Sequence, residues 1–192
     1  GRQNVTFRAV AVAVPAPQAY SLLGPHSRSF RHIAEARMAP CWTGMYAFDP
    51  PLDAGADARR WTTGPLVWAA CNSSKPERPH TPQCWVVHAS SGWTRQHIDL
   101  DAKSAANLLL RAFEDNLGSR LPTPVHRDAH RWRHALVEQP LGLSCLVDEE
   151  LSAGACGDWC IAPRVEAAFE SGRSLAHSLL SMVGLAARMA RS

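Results

Sequence analysis

The hydrophobic residues recur along the chain at two periods, one typical of helices and one of strands. Apolar residues three and four positions apart predict a helix over residues 102–117, with Asp101 as its N-cap and Gly118 as its stop. The same spacing predicts shorter helices over residues 18–23 and 30–38.

Stretches rich in β-branched and aromatic residues, bounded by Pro, Gly and Asp, predict strands between these helices. Residues 52–63 and 72–79 are polar or rich in turn residues, and we expect surface loops there. The predicted strands are residues 7–14, 41–48, 65–71, 83–90 and 144–147. We expect an α+β fold with a mixed, largely antiparallel sheet from the segments near residues 41, 66, 84 and 130, and with helices on one face.

The chain is organised around residues 156–172, which predict a turn that leads into a helix. Gly157 permits a tight bend, Asp158 offers a carboxylate at that bend, and Pro163 suits the first turn of a helix. The helix is predicted over residues 163–190, and its start would present free backbone N–H groups to an anionic or electron-rich ligand. Its predicted buried face consists of Val165, Ala168, Phe169, Gly172, Leu175, Ala176 and Leu179.

Composition indicates a folded globular protein. The 192 residues are 46% hydrophobic and 19% charged, which is enough for one domain, or one and a fraction, with a substantial core. The net charge of +3 is scattered, so we expect no nucleic-acid partner. The uncharged stretches are broken by prolines or are too short to span a bilayer, so we expect no transmembrane segment.

The six cysteines favour buried free thiols over disulfides or a metal site. This predicts an intracellular reducing compartment, either the cytoplasm or an organelle interior. Cys156 and Cys160 lack a second pair at metal-binding spacing. His126, His130 and His134 would line one metal-ready face if this segment were a helix, although Pro122 and Pro124 argue for extended backbone at its start.

Three motifs resemble a known family. They are the run from Gly157 to Gly172, the turn Val14-Pro15-Ala16-Pro17-Gln18, and the segment His130-Arg131-Trp132-Arg133. Together they resemble the C-terminal part of renalase-like, FAD-dependent amine-oxidase-type oxidoreductases. The resemblance implies the substrate domain of such an enzyme, with a PHBH-like architecture. It further implies that residues 1–25 end an FAD-binding domain, residues 26–148 form the substrate-type domain, and residues 149–192 form an FAD-contacting strand, turn and helix.

The resemblance also assigns roles to individual residues at an FAD site. Gly157 would allow close approach of the cofactor, and Asp158 would bind its ribityl or phosphate region. The amides near Arg164 and Val165 would stabilise negative charge on reduced flavin. The turn at Pro15 would lie beside the diphosphate, or be only a strand stop. The implied cofactor-binding residues are Pro15, Gly157, Asp158, Trp159, Arg164 and Val165.

Three further residues are implied on the substrate side. Lys75 would face the flavin N5 through a water molecule, or be an ordinary surface lysine in a loop. Trp132 would form a flat apolar wall for the substrate, and Arg133 would meet an anionic group, although both side chains also suit sheet packing. Enzymes of this type take a hydride from an amine or a dihydronicotinamide-type substrate and pass electrons to oxygen.

One family feature is missing from the sequence. The Gly-x-Gly-x-x-Gly turn that would hold the FAD pyrophosphate has no counterpart in these residues. The chain also begins at Gly1 instead of Met, and we therefore expect a processed, trimmed or split polypeptide. Its partner would be a polypeptide that carries the missing FAD-binding half, or the subunits of a larger complex. In the alternative, the chain is a non-catalytic accessory subunit that kept the scaffold and lost FAD.

Overall fold

The computed structural model describes residues 6–189, with side chains described through residue 184. The chain forms two compact units. Unit 1 comprises Gly1–Ala39 and Leu136–Ser192, and unit 2 comprises Pro40–Ala135. Each unit contains helices and a β-sheet, so the α+β class predicted from the sequence is confirmed.

Eight strands and five α-helices make up the described part of the chain, together with two short 3-10 helices at Ser29–Glu35 and Asn72–Ser74. The strands are β1 (Val10–Val12), β2 (Arg37–Phe48), β3 (Ala58–Arg60), β4 (Leu66–Cys71), β5 (Gln83–Ala89), β6 (His126–Gln139), β7 (Leu146–Asp148) and β8 (Ala153–Ala155). The α-helices are α1 (Ala16–Leu23), α2 (Ser91–Gln96), α3 (Ala102–Leu117), α4 (Asp158–Ile161) and α5 (Val165–Met189).

Unit 1 is built on a small mixed sheet with the strand order β1-β8-β7. Strand β1 runs parallel to β8, whereas β7 is antiparallel to it. The short strands of this sheet are made mostly of Ala, Val and Gly, and all three residues of β8 are buried. The core of the unit is completed by α1, the first 3-10 helix and α4, through residues such as Ala19, Phe30 and Trp159.

Helix α5 lies directly on β8 because β8 contains a glycine. A Cβ atom at Gly154 would stand 2.3 Å from Cδ1 of Leu175 and 2.8 Å from the carbonyl oxygen of Leu146. Leu175 is fully buried at this contact. The small residue therefore sets how closely the helix and the sheet approach.

The buried face of α5 differs from the one predicted. Ala167, Ser171 and Leu175 are buried, at a spacing of four residues, whereas Val165 is 83% exposed and Phe169 is 69% exposed. The helix also begins at Val165 instead of Pro163. Leu175 is buried as predicted, but the rest of the prediction failed because its face also carries the small residues Ala167 and Ser171, while Val165 and Phe169 lie on the opposite face. Residue 190, its predicted end, lies outside the described residues.

Unit 2 is built on a five-stranded sheet with the order β3-β4-β5-β2-β6. The pairs β3/β4, β4/β5 and β2/β5 are antiparallel. For the segments near residues 41, 66 and 84 this agrees with the largely antiparallel sheet that the sequence predicted, whereas β3 was not predicted. Helix α3 packs on this sheet, and Leu109 and Phe113 join Trp85 and Tyr46 in its core. Its ends are also as predicted: Oδ1 of Asp101 accepts a hydrogen bond from the Ser104 N–H, and Gly118 is left-handed with φ 69°.

Two local predictions that concern strands of the five-stranded sheet are wrong. Met38 lies in β2 and not in a helix, because the preceding helical segment is a short 3-10 helix that ends at Glu35. The loop predicted over residues 52–63 contains β3, which pairs with β4 through the register Arg59↔Ala69. The sequence of β3 is Ala-Arg-Arg, which has little strand propensity, so this strand depends on pairing with its neighbour.

No helix among the described residues is long and apolar enough to cross a membrane.

The close contact between α5 and β8 predicts opposite effects for two glycine substitutions. Gly154→Ala should lower the free energy of unfolding by about 1–3 kcal/mol, because its Cβ would overlap Leu175 and the Leu146 carbonyl. Gly172→Ala, on the same helix as Leu175, should raise it by about 0.5–1 kcal/mol, because no atom lies within 4 Å of the added Cβ. Urea denaturation followed by circular dichroism measures both. Equal effects of the two substitutions would contradict the packing described here.

Candidate functional site

The candidate site lies in unit 1, where β1 and β8 end at the same edge of the sheet. Because the two strands are parallel, their carboxyl ends meet there. The N–H of Cys156 donates to the carbonyl oxygen of Val12 at 3.1 Å. Nε1 of Trp159 donates to the carbonyl oxygen of Val14 at 3.0 Å. These bonds hold the Val14-Pro15 turn beside Gly157 and Asp158, so two of the predicted site segments are neighbours.

Gly157 is needed here for space. The chain bends at this residue, as predicted, but its backbone is extended, with φ 162° and ψ 171°, so the bend itself does not require glycine. A Cβ atom would stand 2.3 Å from Nε1 of Trp159. The Gly157 N–H donates to Oγ of Ser171 at 3.1 Å, and Ser171 is fully buried. The close approach that this glycine permits is therefore that of the Trp159 ring, and its N–H is satisfied within the chain.

Asp158 begins the four-residue helix α4 directly after Gly157. Its Oδ1 accepts a hydrogen bond from the Trp159 N–H at 2.9 Å, and the residue is half-buried. Trp159 itself is 1% exposed and belongs to the core of unit 1. Asp158 is thus held at the surface by a buried neighbour, and its carboxylate remains partly accessible.

The start of α5 is open to solvent. Pro163, Arg164, Val165 and Glu166 are all exposed. The Arg164 N–H donates to the carbonyl oxygen of Ala162 at 2.8 Å, so this amide is already engaged. The amides from Val165 onward belong to the first helical turn, which leaves N–H groups without partners inside the helix. Of the two predicted amide positions, only Val165 presents an N–H of this kind.

The predicted substrate-side residues all lie in unit 2, and they do not share one surface. Lys75 follows the 3-10 helix Asn72–Ser74 and is exposed. Trp132 and Arg133 are consecutive residues of β6, and successive side chains of a strand point to opposite faces. The extended conformation of this segment, which the sequence predicted in place of a helix, is confirmed. The alternation keeps Trp132 and Arg133 from lining the same side of the sheet.

Each face of β6 has its own surroundings. The Trp132 ring lies edge-on to the His130 ring, with 4.3 Å between their centroids, and Trp132 is 53% exposed. On the other face Arg131 stacks over the Trp42 ring at 5.5 Å, and Ala129 is buried in the core. By alternation, Arg133 lies on the same face as Ala129 and Arg131, although its own side chain is exposed.

A half-exposed aromatic surface lies on the side of the unit 2 sheet that faces away from α3. Trp68 and His88 are opposite each other on β4 and β5, and Trp132 shares this side by alternation. Partial burial lowers the pKa of His88, which favours the neutral imidazole. The sequence analysis did not single out Trp68 or His88, because strand periodicity alone does not tell which face of a sheet is left uncovered.

No family model matches the chain. Its fold is similar to a solved structure described as a putative protoporphyrinogen oxidase from an Exiguobacterium species. The TM-score is 0.66 at 13% sequence identity, and the match covers 90% of this chain and 41% of that protein. At this identity the likeness concerns the fold alone. The chain spans about two fifths of the length of the solved protein it matches.

The hydrogen bond that anchors Gly157 predicts a stability loss in one of two serine variants. Ser171→Ala should lower the free energy of unfolding by about 1–3 kcal/mol, because it leaves the half-buried Gly157 N–H without its acceptor. Ser178→Ala removes only a bond to the carbonyl oxygen of Ser174 in the same helix, and should change it by less than about 0.5 kcal/mol. Thermal or urea unfolding of both variants checks this. An unchanged free energy of unfolding in Ser171→Ala would contradict the proposed role of this hydrogen bond in holding Gly157.

Proposed function

We propose that the chain is the substrate-domain and FAD-contacting part of a FAD-dependent oxidoreductase of the renalase or amine-oxidase type. The observation that carries the proposal is the shared edge of β1 and β8, where Val14-Pro15 and Gly157-Asp158 are held together by the Trp159 indole. These are the two segments whose sequences resemble the family's cofactor-contacting turns. The likeness of the fold to a protein described as an oxidase agrees with this proposal.

The described residues fit one side of a nucleotide site. Asp158 offers a partly accessible carboxylate that can accept hydrogen bonds from ribityl hydroxyls, and the open first turn of α5 suits a site of negative charge. Pro15 would border the diphosphate. Trp159 would contribute by positioning Asp158, because its ring is buried. FAD, when bound, would supply the two-electron chemistry, and the chain would supply orientation and electrostatics.

Residues of unit 2 would meet the substrate, which we propose is an amine or a dihydronicotinamide-type compound. The exposed Trp132 ring offers a flat apolar surface on the side of the sheet that also carries Trp68 and His88. His88 favours its neutral form, so it adds no fixed positive charge there. Lys75 and Arg133 remain proposed partners for a water molecule near the flavin and for an anionic substrate group.

The proposed partner is a polypeptide that carries the glycine-rich dinucleotide-binding half. Unit 1 exposes large apolar side chains that its own elements leave uncovered, among them Phe7 before β1, Val10 in β1, and Val165, Phe169 and Leu180 on α5. Strand β1 is also an edge strand of its sheet within the described residues. Exposed apolar side chains and an open strand edge are typical of surfaces that pack against another segment.

A second candidate is an accessory subunit that kept this scaffold without binding FAD. Two observations favour it: the sequence contains no glycine-rich turn, and the Gly157 N–H already has an acceptor in Ser171. In this case the same exposed apolar residues of unit 1 would serve assembly alone.

The absorbance of the purified protein distinguishes the two candidates. Protein isolated together with its natural partners should show the near-ultraviolet and blue absorption bands of oxidised flavin if the oxidoreductase proposal holds. A preparation that remains colourless after FAD is added would contradict that proposal and support the accessory subunit.

Within the flavin-binding complex, Asp158 should contribute to affinity. Asp158→Ala should weaken FAD binding by about tenfold or more, because a hydrogen bond to a charged group is lost. Asp115→Ala, which removes an acidic side chain from α3 of unit 2, is the matched control and should leave the affinity unchanged. Titration of the apo-complex with FAD, followed by flavin fluorescence, measures both. Equal affinity in the two variants would place the cofactor contact elsewhere.

A further inference from the structure

Three cysteines, Cys145, Cys156 and Cys160, lie close together beside the candidate site, although their spacing in the sequence matches no disulfide motif. Strands β7 and β8 are antiparallel, with Leu146 opposite Ala155. Continuing this register by one residue places Cys145, just before β7, opposite Cys156, just after β8. Cys156 is buried and Cys145 is half-buried. By this register the two residues lie across from each other at the end of the strand pair that leads into Gly157.

The hydrogen bonds of β8 show which kind of cross-strand pair this is. The Cys156 N–H donates to Val12 of β1, so it points away from β7. Cys145 and Cys156 thus stand at a non-hydrogen-bonded position, where opposed Cα atoms are about 4.5 Å apart and side chains are closest. Disulfides need Cα atoms about 4.4–6.8 Å apart. The backbone therefore permits a direct bond between these two residues.

Cys160 is the third member of the cluster. The Leu143 N–H donates to the carbonyl oxygen of Cys160 at 3.0 Å, which brings the segment before Cys145 alongside α4. The pKa of Cys160 is raised to about 11, chiefly by burial; the Cys156 and Cys145 thiols also raise it, whereas a hydrogen bond to Ser171 lowers it. Burial, and then Cys145, raise the pKa of Cys156. These mutual effects are consistent with three thiols that lie close together.

The three cysteines do not form a metal-binding site. Within residues 6–189, no group of three or more His, Cys, Asp or Glu side chains is arranged to hold a metal ion. A cross-strand pair with a third thiol nearby instead suits thiol oxidation, in which one cysteine reacts first and a neighbour resolves it.

We propose that Cys145 and Cys156 are a redox modification site that forms a reversible intrachain disulfide when the protein meets a peroxide. Cys145 reacts first, since it is the more accessible thiol of the pair. Its thiolate attacks one oxygen of hydrogen peroxide, giving a sulfenic acid and hydroxide. The Cys156 thiol then attacks that sulfur, the S–S bond forms, and water leaves. In sum, two thiols and one peroxide give one disulfide and two waters.

The disulfide would close the β7–β8 hairpin at the residue before Gly157. It would thereby fix the strand end from which Asp158 is presented, and it would leave Cys160 free. This site is argued from strand register and hydrogen bonds, and it does not rest on the proposed oxidoreductase function.

The experiment treats the reduced full chain with a small excess of hydrogen peroxide at low protein concentration, then alkylates it and maps the peptides. Trypsin alone keeps all three cysteines in the peptide 134–164, so a second protease that cleaves after Glu149 or Glu150 is needed to separate Cys145 from the other two. We expect a cross-linked pair joining Cys145 and Cys156, loss of two free thiols per chain, and reversal by dithiothreitol. The oxidised form should melt roughly 5 °C higher than the reduced form.

Three variants sharpen the test. Cys145→Ser and, independently, Cys145→Ala should abolish the cross-link and the shift in melting temperature. Cys84→Ser, which removes a half-buried thiol of unit 2, should leave both unchanged. Circular dichroism of the reduced proteins verifies that each variant is folded. A cross-link between Cys156 and Cys160, or over-oxidation of Cys145 without any cross-link, would overturn the proposal.

Discussion

The structure of unit 1 depends on how closely helix α5 approaches strand β8. Gly154 leaves room for the side chain of Leu175, and three residues later Gly157 donates its N–H to Ser171 on the same helix. The two contacts are one helical turn apart on α5, so they fix both the distance and the rotation of the helix. A side chain at either glycine would meet atoms at 2.3 Å, which dense protein interiors do not accommodate without displacement.

This packing decides what the corner after β8 can offer a ligand. The inner side is filled by the chain itself, since the Trp159 ring covers Gly157 and Ser171 occupies its N–H. The outer side presents the Asp158 carboxylate and the open first turn of α5. The proposed nucleotide would therefore meet a surface that is supported from behind by the buried Trp159 ring and the Ser171 hydroxyl. Such support is what holds a binding group in a fixed orientation.

The same helix explains the apolar surface of unit 1. Because α5 turns its small residues toward the sheet, Val165 and Phe169 are left on the opposite face. An apolar stripe of this kind is costly to leave in water, and it is one of the observations behind the proposed partner polypeptide. The cysteine cluster has a different origin, because β7, β8 and α4 bring together Cys145, Cys156 and Cys160, which belong to no common motif in the sequence.

The sequence by itself determined the α+β class, most strand and helix positions, and both ends of α3. These features follow from local patterns: apolar periodicity, the Asp101 cap and the left-handed Gly118. The extended form of β6 was expected from the family resemblance, with the prolines before it in support. Only the tertiary structure decided which face of α5 is buried, why Gly157 must be a glycine, and that Cys145 stands opposite Cys156. Each of these depends on contacts between residues distant in the chain, and periodicity records that a face is apolar without recording what it packs against.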